Sequence, residues 1–320
     1  MSRISEEGGL PRRGRDGGPE DRVHIAICVC TYKRPEMLRR LLSSLREQET
    51  GDAFRLSVVV CDNDANGSAA DTVAGFRGPS GPPVRYVIEP EQNISLARNR
   101  ALGSTVADYY ACIDDDEVAD RAWVLNLHRT IVGERADGVL GPVRPSYDHP
   151  PSAWLVRSRI QERREFPTGT EMLDPRHCRT GNVLLSGPLV MSQAPPFDPR
   201  YGRTGGEDVD FFSRNLKAGR RFVWCNEAVV HEEIPPSRQK RSYHMRRALL
   251  RGVVRSGRSP LWSRDTVKSL AACSAYALAL PFVFVLRNSS FMPLVIRWLD
   301  HAGKILARLG IKPVRLRDEA

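Results

Sequence analysis

At 320 residues, 41% of them hydrophobic, the chain is long enough for one large domain or two modest ones, and apolar enough for a real core. Its net charge of +10 is uneven: residues 235–320 hold 17 Lys/Arg against 4 Asp/Glu, and residues 1–234 hold 31 against 34. A nucleic-acid enzyme usually sets its basic charge around the catalytic cleft, so this distribution argues against that class. The seven cysteines form no CxxC and mostly lie in apolar runs, which argues against disulfides or zinc and for a reducing cytosolic setting.

Residues 1–22 contain no apolar h-region and read as a disordered tail, neither a secretory nor a twin-arginine signal. "VHIAICVC" (23–30) and "RLSVVVC" (55–61) are short, β-rich and apolar on both faces, as strands of a covered parallel sheet are. Between them "PEMLRRLLSSLREQ" (35–48) has Leu38, Leu41, Leu42 and Leu45 at helical spacing behind Pro35. This is a βαβ unit, and the alternation continues. A strand is predicted at 84–89, a helix at 95–104, a strand at 107–113, a helix near 120–133 and a strand near 138–141. The fold class is therefore α/β, a doubly wound and mostly parallel sheet.

In such sheets ligands bind beyond the carboxyl ends of the strands. The first predicted strand runs into Thr31-Tyr32-Lys33-Arg34, the second into Asp62-Asn63-Asp64, the fourth into Asp114-Asp115-Asp116. One acidic residue at such a place is often only a helix or turn cap. Three in a row exceed what a cap needs. A calcium loop starting at Asp114 would require glycine and glutamate where Ala119 and Leu125 stand. The alternative is a D-x-D site, in which one or two carboxylates and a substrate diphosphate share Mg²⁺ or Mn²⁺. If the chain stays extended, Asp114 and Asp116 share one side and Asp115 faces the other.

A second acidic cluster follows paired glycines in "GGEDVDFF" (205–212), placing Glu207 and Asp208 in the first turn of a helix. The helix dipole accounts for acids there without chemistry, though not for the glycines. "EAVVHEEIPP" (227–236) sets His231 after a short apolar strand, where a histidine is more often structural than a ligand. Beyond it, 237–268 carries ten Lys/Arg and one acid, and 269–286 is an uncharged 18-residue run containing Pro281. "FMPLVIRWLDHAGKILARLG" (291–310) reads as a basic amphipathic helix. The pattern suits a cytosolic face on an anionic membrane, spanning or lying in the interface; a soluble helical subdomain is the plainer reading.

The ordered set "CTYKRP", "VVVCDND", "NISLARNRAL", "IDDDE", "GPVRP", "GNVLLS", "GGEDVDFF" and "EAVVHEEIPPSR" resembles family 2 glycosyltransferases of the GT-A fold. Within them it is most similar to bacterial exopolysaccharide transferases of the succinoglycan type. The resemblance spans residues 24 to about 255. It implies a catalytic domain at 23–236, with a nucleotide-sugar half (23–142) and an acceptor half (143–236), followed by a membrane-associating region at 237–320. Thr31, Tyr32 and Arg34 match the loop around the nucleoside, and Asp62 the residue that bonds the base. Asn93 and Arg98 match the nucleotide-sugar segment, with Asp115 grouped among the donor contacts. Asp114 and Asp116 match the D-x-D aspartates and His231 a metal ligand of some members. Asp208 matches the catalytic base, with Glu207 beside it.

The implied activity is metal-dependent, inverting transfer from a nucleotide-sugar, UDP-linked by expectation, to a saccharide or lipid-linked acceptor. The implied setting is the cytoplasmic face of a bacterial inner membrane, with no nucleic-acid partner. The family's spaced "DxDD" stands here as "DDDE", which leaves the assignment of the metal-binding carboxylates open. Two alternatives remain: a non-catalytic binding protein of the same fold, and a nucleotidyltransferase that makes sugar nucleotides. The second should carry a glycine-rich phosphate loop after the first strand, which "CTYKRPEM" lacks.

Overall fold

A computed structural model describes residues 22–79, 81–203, 205–256, 263–286 and 291–311. Apart from Arg22, the expected N-terminal tail lies outside them. The described chain forms two compact units, residues up to Pro142 with Glu165–Val230, and Val143–Arg164 with the residues from His231 onward.

The first unit begins with β1 (Val23–Thr31), α1 (Pro35–Arg46), β2 (Phe54–Asp62), the short α2 (Ala70–Ala74), β3 (Val84–Ile88), α3 (Ile94–Leu102) and β4 (Tyr109–Asp114). β5 (Glu117–Ala119), α4 (Trp123–Glu134) and β6 (Gly138–Leu140) follow. β1 is apolar on both faces because both are covered: Ile25, Ile27 and Val29 are fully buried on one, and Ala26 and Cys28 are buried on the other. α1 starts on Pro35, whose missing N–H costs nothing in a first turn, and buries the four leucines at its helical spacing.

The second unit then takes β7 (Val143–Ser146) and α5 (Ala153–Ser158), and the chain returns to the first unit for β8 (Asn182–Ser186), α6 (Gly187–Met191), α7 (Glu207–Lys217) and β9 (Phe222–Trp224). The first unit's sheet has the order β3-β2-β1-β4-β8-β6-β9. β1, β2, β3 and β4 run parallel, as do β6 and β9, while β8 lies antiparallel between β4 and β6. The sheet is thus mostly parallel, as expected, with one reversed strand inside it. Five of the seven cysteines are buried and all are free thiols. Burial pushes Cys112 up to about 12, so it packs as a small hydrophobe.

The second unit ends with β10 (Val230–Glu233), whose first residue belongs to the first unit, and α8 (Arg241–Ser256), α9 (Arg264–Val285) and α10 (Phe291–Arg308). β10 lies beside β7, and the Ile234 N–H donates to the Ser146 carbonyl at 2.9 Å. α8 and α10 meet backbone to backbone at Gly252 and Gly303. A Cβ on Gly252 would collide with the Asp300 carbonyl, and one on Gly303 with the Leu249 carbonyl. Among the described residues, α9 is the one helix long and apolar enough to cross a membrane.

Candidate active site

The parallel register gathers the polar strand ends. Thr31 is level with Asp62 across β1 and β2, and Cys30 is level with Asp114 across β1 and β4. β1 lies between β2 and β4, so the chain leaves it in opposite directions on its two sides, which opens a crevice at the carboxyl ends. The loop after β1 turns at Lys33, a non-glycine residue at φ 53°. Its ammonium lies 5.1 Å from the centroid of the Tyr32 ring, which stands partly in solvent.

The acidic run is not extended. β4 stops at Asp114, and a turn carries Asp115 and Asp116 before β5 begins at Glu117. The expected alternation, with Asp115 turned away from its neighbours, therefore fails at the first residue past the strand. Asp115 and Asp116 both receive Arg34 Nη1, at 2.9 Å and 3.1 Å, and Asp115 also accepts from Thr31 Oγ1 at 2.8 Å. Burial pushes the Asp115 carboxyl up to about 6, against the pull of Arg34, while the Asp116 charge adds to the rise. Of the three aspartates Asp114 is the exposed one, with 44% of its side chain in solvent, against 6% and 11% for Asp115 and Asp116.

Glu117, the fourth acid of the run, is buried, and its Oε2 accepts the Asp114 N–H at 3.1 Å. Gly181, just before β8, lies against both: a Cβ there would stand 2.8 Å from Asp114 Oδ2 and 2.9 Å from Glu117 Oε1. Only glycine admits the two carboxylates this close to the backbone.

Arg98 reaches the site from α3, whose placement is built from polar side chains. The Asn93 oxygen caps the helix by accepting from the Ser95 and Leu96 N–H groups, and its amide donates to the Pro199 carbonyl at 3.0 Å. Asn63 accepts the Asn93 N–H and donates to the carbonyls of Glu89 and Glu91. Asp62 is fully enclosed, with Oδ1 accepting the Asp64 N–H and Oδ2 accepting the Ala69 N–H and the Tyr86 hydroxyl. The polar groups of Asp62 and Asn93, expected to touch the donor, are thus engaged in holding loops, and Asn93 acts on the site by placing α3.

From α3, Arg98 bonds Glu207 through Nη1 and Asp114 through Nη2 at 3.4 Å. Burial alone would make this guanidinium easier to deprotonate. Asp114 first and Glu207 second more than reverse that, so it stays a fixed cation. α7 opens with Glu207 and Asp208 behind Gly205 and Gly206, which sit at φ 79° and 101°, a region side chains rarely adopt. Glu207 is buried. Its second oxygen, Oε2, is buried without a hydrogen-bond partner among the described residues. Asp208 is half-exposed, and Asp210, further along, pairs with Arg214 at 2.8 Å. His231 is half-buried on β10, where the chain re-enters the second unit.

Among the described residues, no group of three or more His, Cys, Asp or Glu side chains converges to cage a metal by itself. A Mg²⁺ or Mn²⁺ site completed by substrate phosphates needs only one or two carboxylates. Asp114, open to solvent beside the held Asp116, meets that requirement with hard oxygen donors. The geometry unites Thr31, Arg34, Asp115 and Asp116 in one network, and Arg98, Asp114 and Glu207 in another. Sequence reading passed over Glu117 and Gly181. The fourth acid of "DDDE" and the glycine opening "GNVLLS" were their signals.

Residues 26–184 match the model of the family described as glycosyl transferase family 2. The succinoglycan biosynthesis protein ExoM of Rhizobium meliloti is 32% identical over 92% of this chain and 96% of its own length. The hyaluronan synthase of Pasteurella multocida is 23% identical over 68% of this chain, which spans 25% of that longer protein. Among solved structures, residues 1–349 of S. aureus TarS in complex with UDP-GlcNAc share the fold at a TM-score of 0.56 and 14% identity, over 91% of this chain and 93% of that one.

Proposed function

The chain belongs to glycosyl transferase family 2 and is a glycosyltransferase; from that premise we propose that it transfers a sugar with inversion from a UDP-sugar to a saccharide or lipid-linked acceptor of exopolysaccharide synthesis. The carrying observation is the buried guanidinium of Arg98, which ties Asp114, at the sheet end, to Glu207, at the start of the helix bearing Asp208. It holds a donor-side and an acceptor-side carboxylate in one rigid frame, which suits a reaction needing the two substrates aligned.

In this reading Thr31, Tyr32 and Arg34 line the nucleoside side, and Asp114 with Asp116 would hold a divalent cation. The cation would supply Lewis-acid stabilisation of the departing diphosphate. Asp208 accepts the acceptor hydroxyl's proton as that oxygen bonds to the anomeric carbon, and the bond from that carbon to the diphosphate oxygen breaks with its electron pair on the leaving group. In this reading Glu207, buried and bound to Arg98, serves to position Arg98. UDP is favoured as the nucleotide because TarS, a fold relative, has been solved with UDP and with UDP-GlcNAc. The site of action in this reading is the cytoplasmic face of the inner membrane.

Calorimetry of UDP with and without Mn²⁺ tests the donor side. Tighter binding with the cation is expected, since bare carboxylates should repel a diphosphate. Equal affinity in EDTA would remove the metal from the reading. A screen of nucleotide-sugar hydrolysis then identifies the donor.

A further inference from the structure

Across β1 and β4, Cys28 is level with Cys112 and Cys30 with Asp114, where the sheet packs against Ala97 and Ala101 of α3. Cys28, Cys30 and Cys112 line a cavity of about 10 Å³ there, together with Arg98, Asp114 and Thr180. Burial raises all three thiols, and the Arg98 charge offsets this only in part at Cys30 and Cys112, so none ionises. The strongly polar groups of the wall are therefore a guanidinium, a carboxylate and a hydroxyl. The hydroxyl is the unexplained one. Thr180, one residue before Gly181, is 2% exposed, and its Oγ1 is buried without a hydrogen-bond partner among the described residues. A buried hydroxyl left unpaired forfeits its bonds to water and gains nothing in exchange.

We infer that the cavity is a binding site for one water molecule, which accepts from Arg98, donates to Asp114 and pairs with Thr180, making Thr180 a positioning residue for the catalytic frame. Size admits one water and little more, since a single water needs about 10–15 Å³. Charge selects a neutral occupant: an anion would meet Asp114 and the neighbouring Glu207, and a cation would meet Arg98. Polarity argues against a dry void, because cavities that stay dry are apolar, whereas a buried water takes about two to four polar partners. The donor is at hand. A guanidinium carries about five N–H groups, and the bonds to Glu207 and Asp114 leave the others of Arg98 to spare. The direct bond from Arg98 to Asp114 is long, at 3.4 Å, and a water shared by both ties the pair a second time. Gly181 sets the same chain segment against Asp114 and Glu117, so the hydroxyl is carried into place beside them. Only the effect on donor binding rests on the proposed function; the water site stands apart from it.

A crystal structure of the full-length chain tests the site without any variant. Density for a water should stand about 2.7–3.2 Å from Thr180 Oγ1, and a cavity without it overturns the inference. Thr180→Val then exchanges the hydroxyl for a methyl of the same size. If a water is bound, the variant strips it of a partner and the urea midpoint falls. If the cavity is dry, valine removes an unpaired hydroxyl, and a midpoint that holds or rises overturns the inference. Calorimetry of UDP reads the positioning role. Thr180→Val should weaken binding by about fivefold in Mn²⁺, the scale of one hydrogen bond, and leave binding in EDTA unchanged. Thr180→Ser, which keeps the hydroxyl, should bind UDP as wild type does. Equal weakening in both conditions, or serine behaving like valine, would reduce Thr180 to a packing residue. Wild-type UDP binding that ignores Mn²⁺ would instead remove the metal from the proposed function, and the density and the midpoint would still decide the water site.

Discussion

Two arginines each hold two carboxylates in this molecule, and they do so differently. Arg34 leaves the loop after β1 and gathers Asp115 and Asp116, neighbours in one turn, with a third of its own side chain in solvent. Arg98 is 11% exposed and joins Asp114 to Glu207, which are far apart in the chain. The first arrangement neutralises a local concentration of charge. The second fixes two separate elements to each other, and its buried Glu207 has no other cation to turn to among the bonds it makes. A partly solvated ion pair contributes little, whereas breaking a buried one strands a charge. The difference predicts an order of sensitivities.

The largest effect should come from Arg98→Met. It leaves Glu207 buried beside Asp114 with no guanidinium, and a loss of roughly 3–5 kcal/mol is expected in urea unfolding, the usual scale for a broken buried pair. Glu207→Gln in the same background should recover part of that stability without recovering transfer. If the single variant unfolds like wild type, the frame is not what holds the two elements.

Next comes Asp208→Asn, nearly isosteric and half-exposed. Folding and donor affinity should stay near wild type while turnover falls by a factor on the order of 10² or more. Glu207→Gln should be milder on turnover and act more on stability. Turnover kinetics beside a melting curve separate the two, and the reverse ranking would move the base to Glu207.

Arg34→Gln should destabilise less than Arg98→Met, since a third of Arg34 is solvated, but it strands Asp115 and Asp116, whose side chains are 6% and 11% exposed, and should weaken UDP binding as they lose their shared partner. Asp115→Ala and Asp116→Ala should both disturb Arg34, because the turn brings both to it.

The smallest effect is a slope. The Asp115 carboxyl is raised from its ordinary value to about 6, so between pH 4 and 6 the folded state binds more proton than the unfolded chain. Its contribution to stability should therefore fall as pH rises through that window. Unfolding midpoints measured across it should show the fall, and Asp115→Asn should flatten it. A rise instead would mean that Arg34 outweighs burial at this carboxylate.

The two networks also show what a sequence discloses. Strands such as 23–31 and 54–62 were legible because apolar runs of that length have few other uses. α1 was legible from four leucines at one period. The acids themselves were visible, and so was Arg98 within its motif. The link between Arg98 and Glu207 was not, since 109 residues separate them and only the folded sheet makes them adjacent. The turn at Asp115 escaped because alternation assumes an extended chain, and the Thr31 and Arg34 bonds reward a turn instead. β8 was not read as a strand, its residues entering only as the motif "GNVLLS", and no periodicity signals its reversed direction. Asp62 and Asn93 make loop and cap bonds, a role that polar side chains at strand ends and helix starts serve alongside ligand contact.

The contact between Gly252 and Gly303 carries a genetic consequence. Every missense change at either codon installs at least a Cβ, and the facing carbonyls of Asp300 and Leu249 leave no room for one. Neither residue belongs to the catalytic frame. A single nucleotide substitution at these positions should therefore separate α10 from α8 and leave the sugar-transfer residues intact. Such alleles should lower the unfolding midpoint while leaving donor affinity intact, and suppressors should arise as small residues or shifts on the opposing helix, not in the acidic motifs.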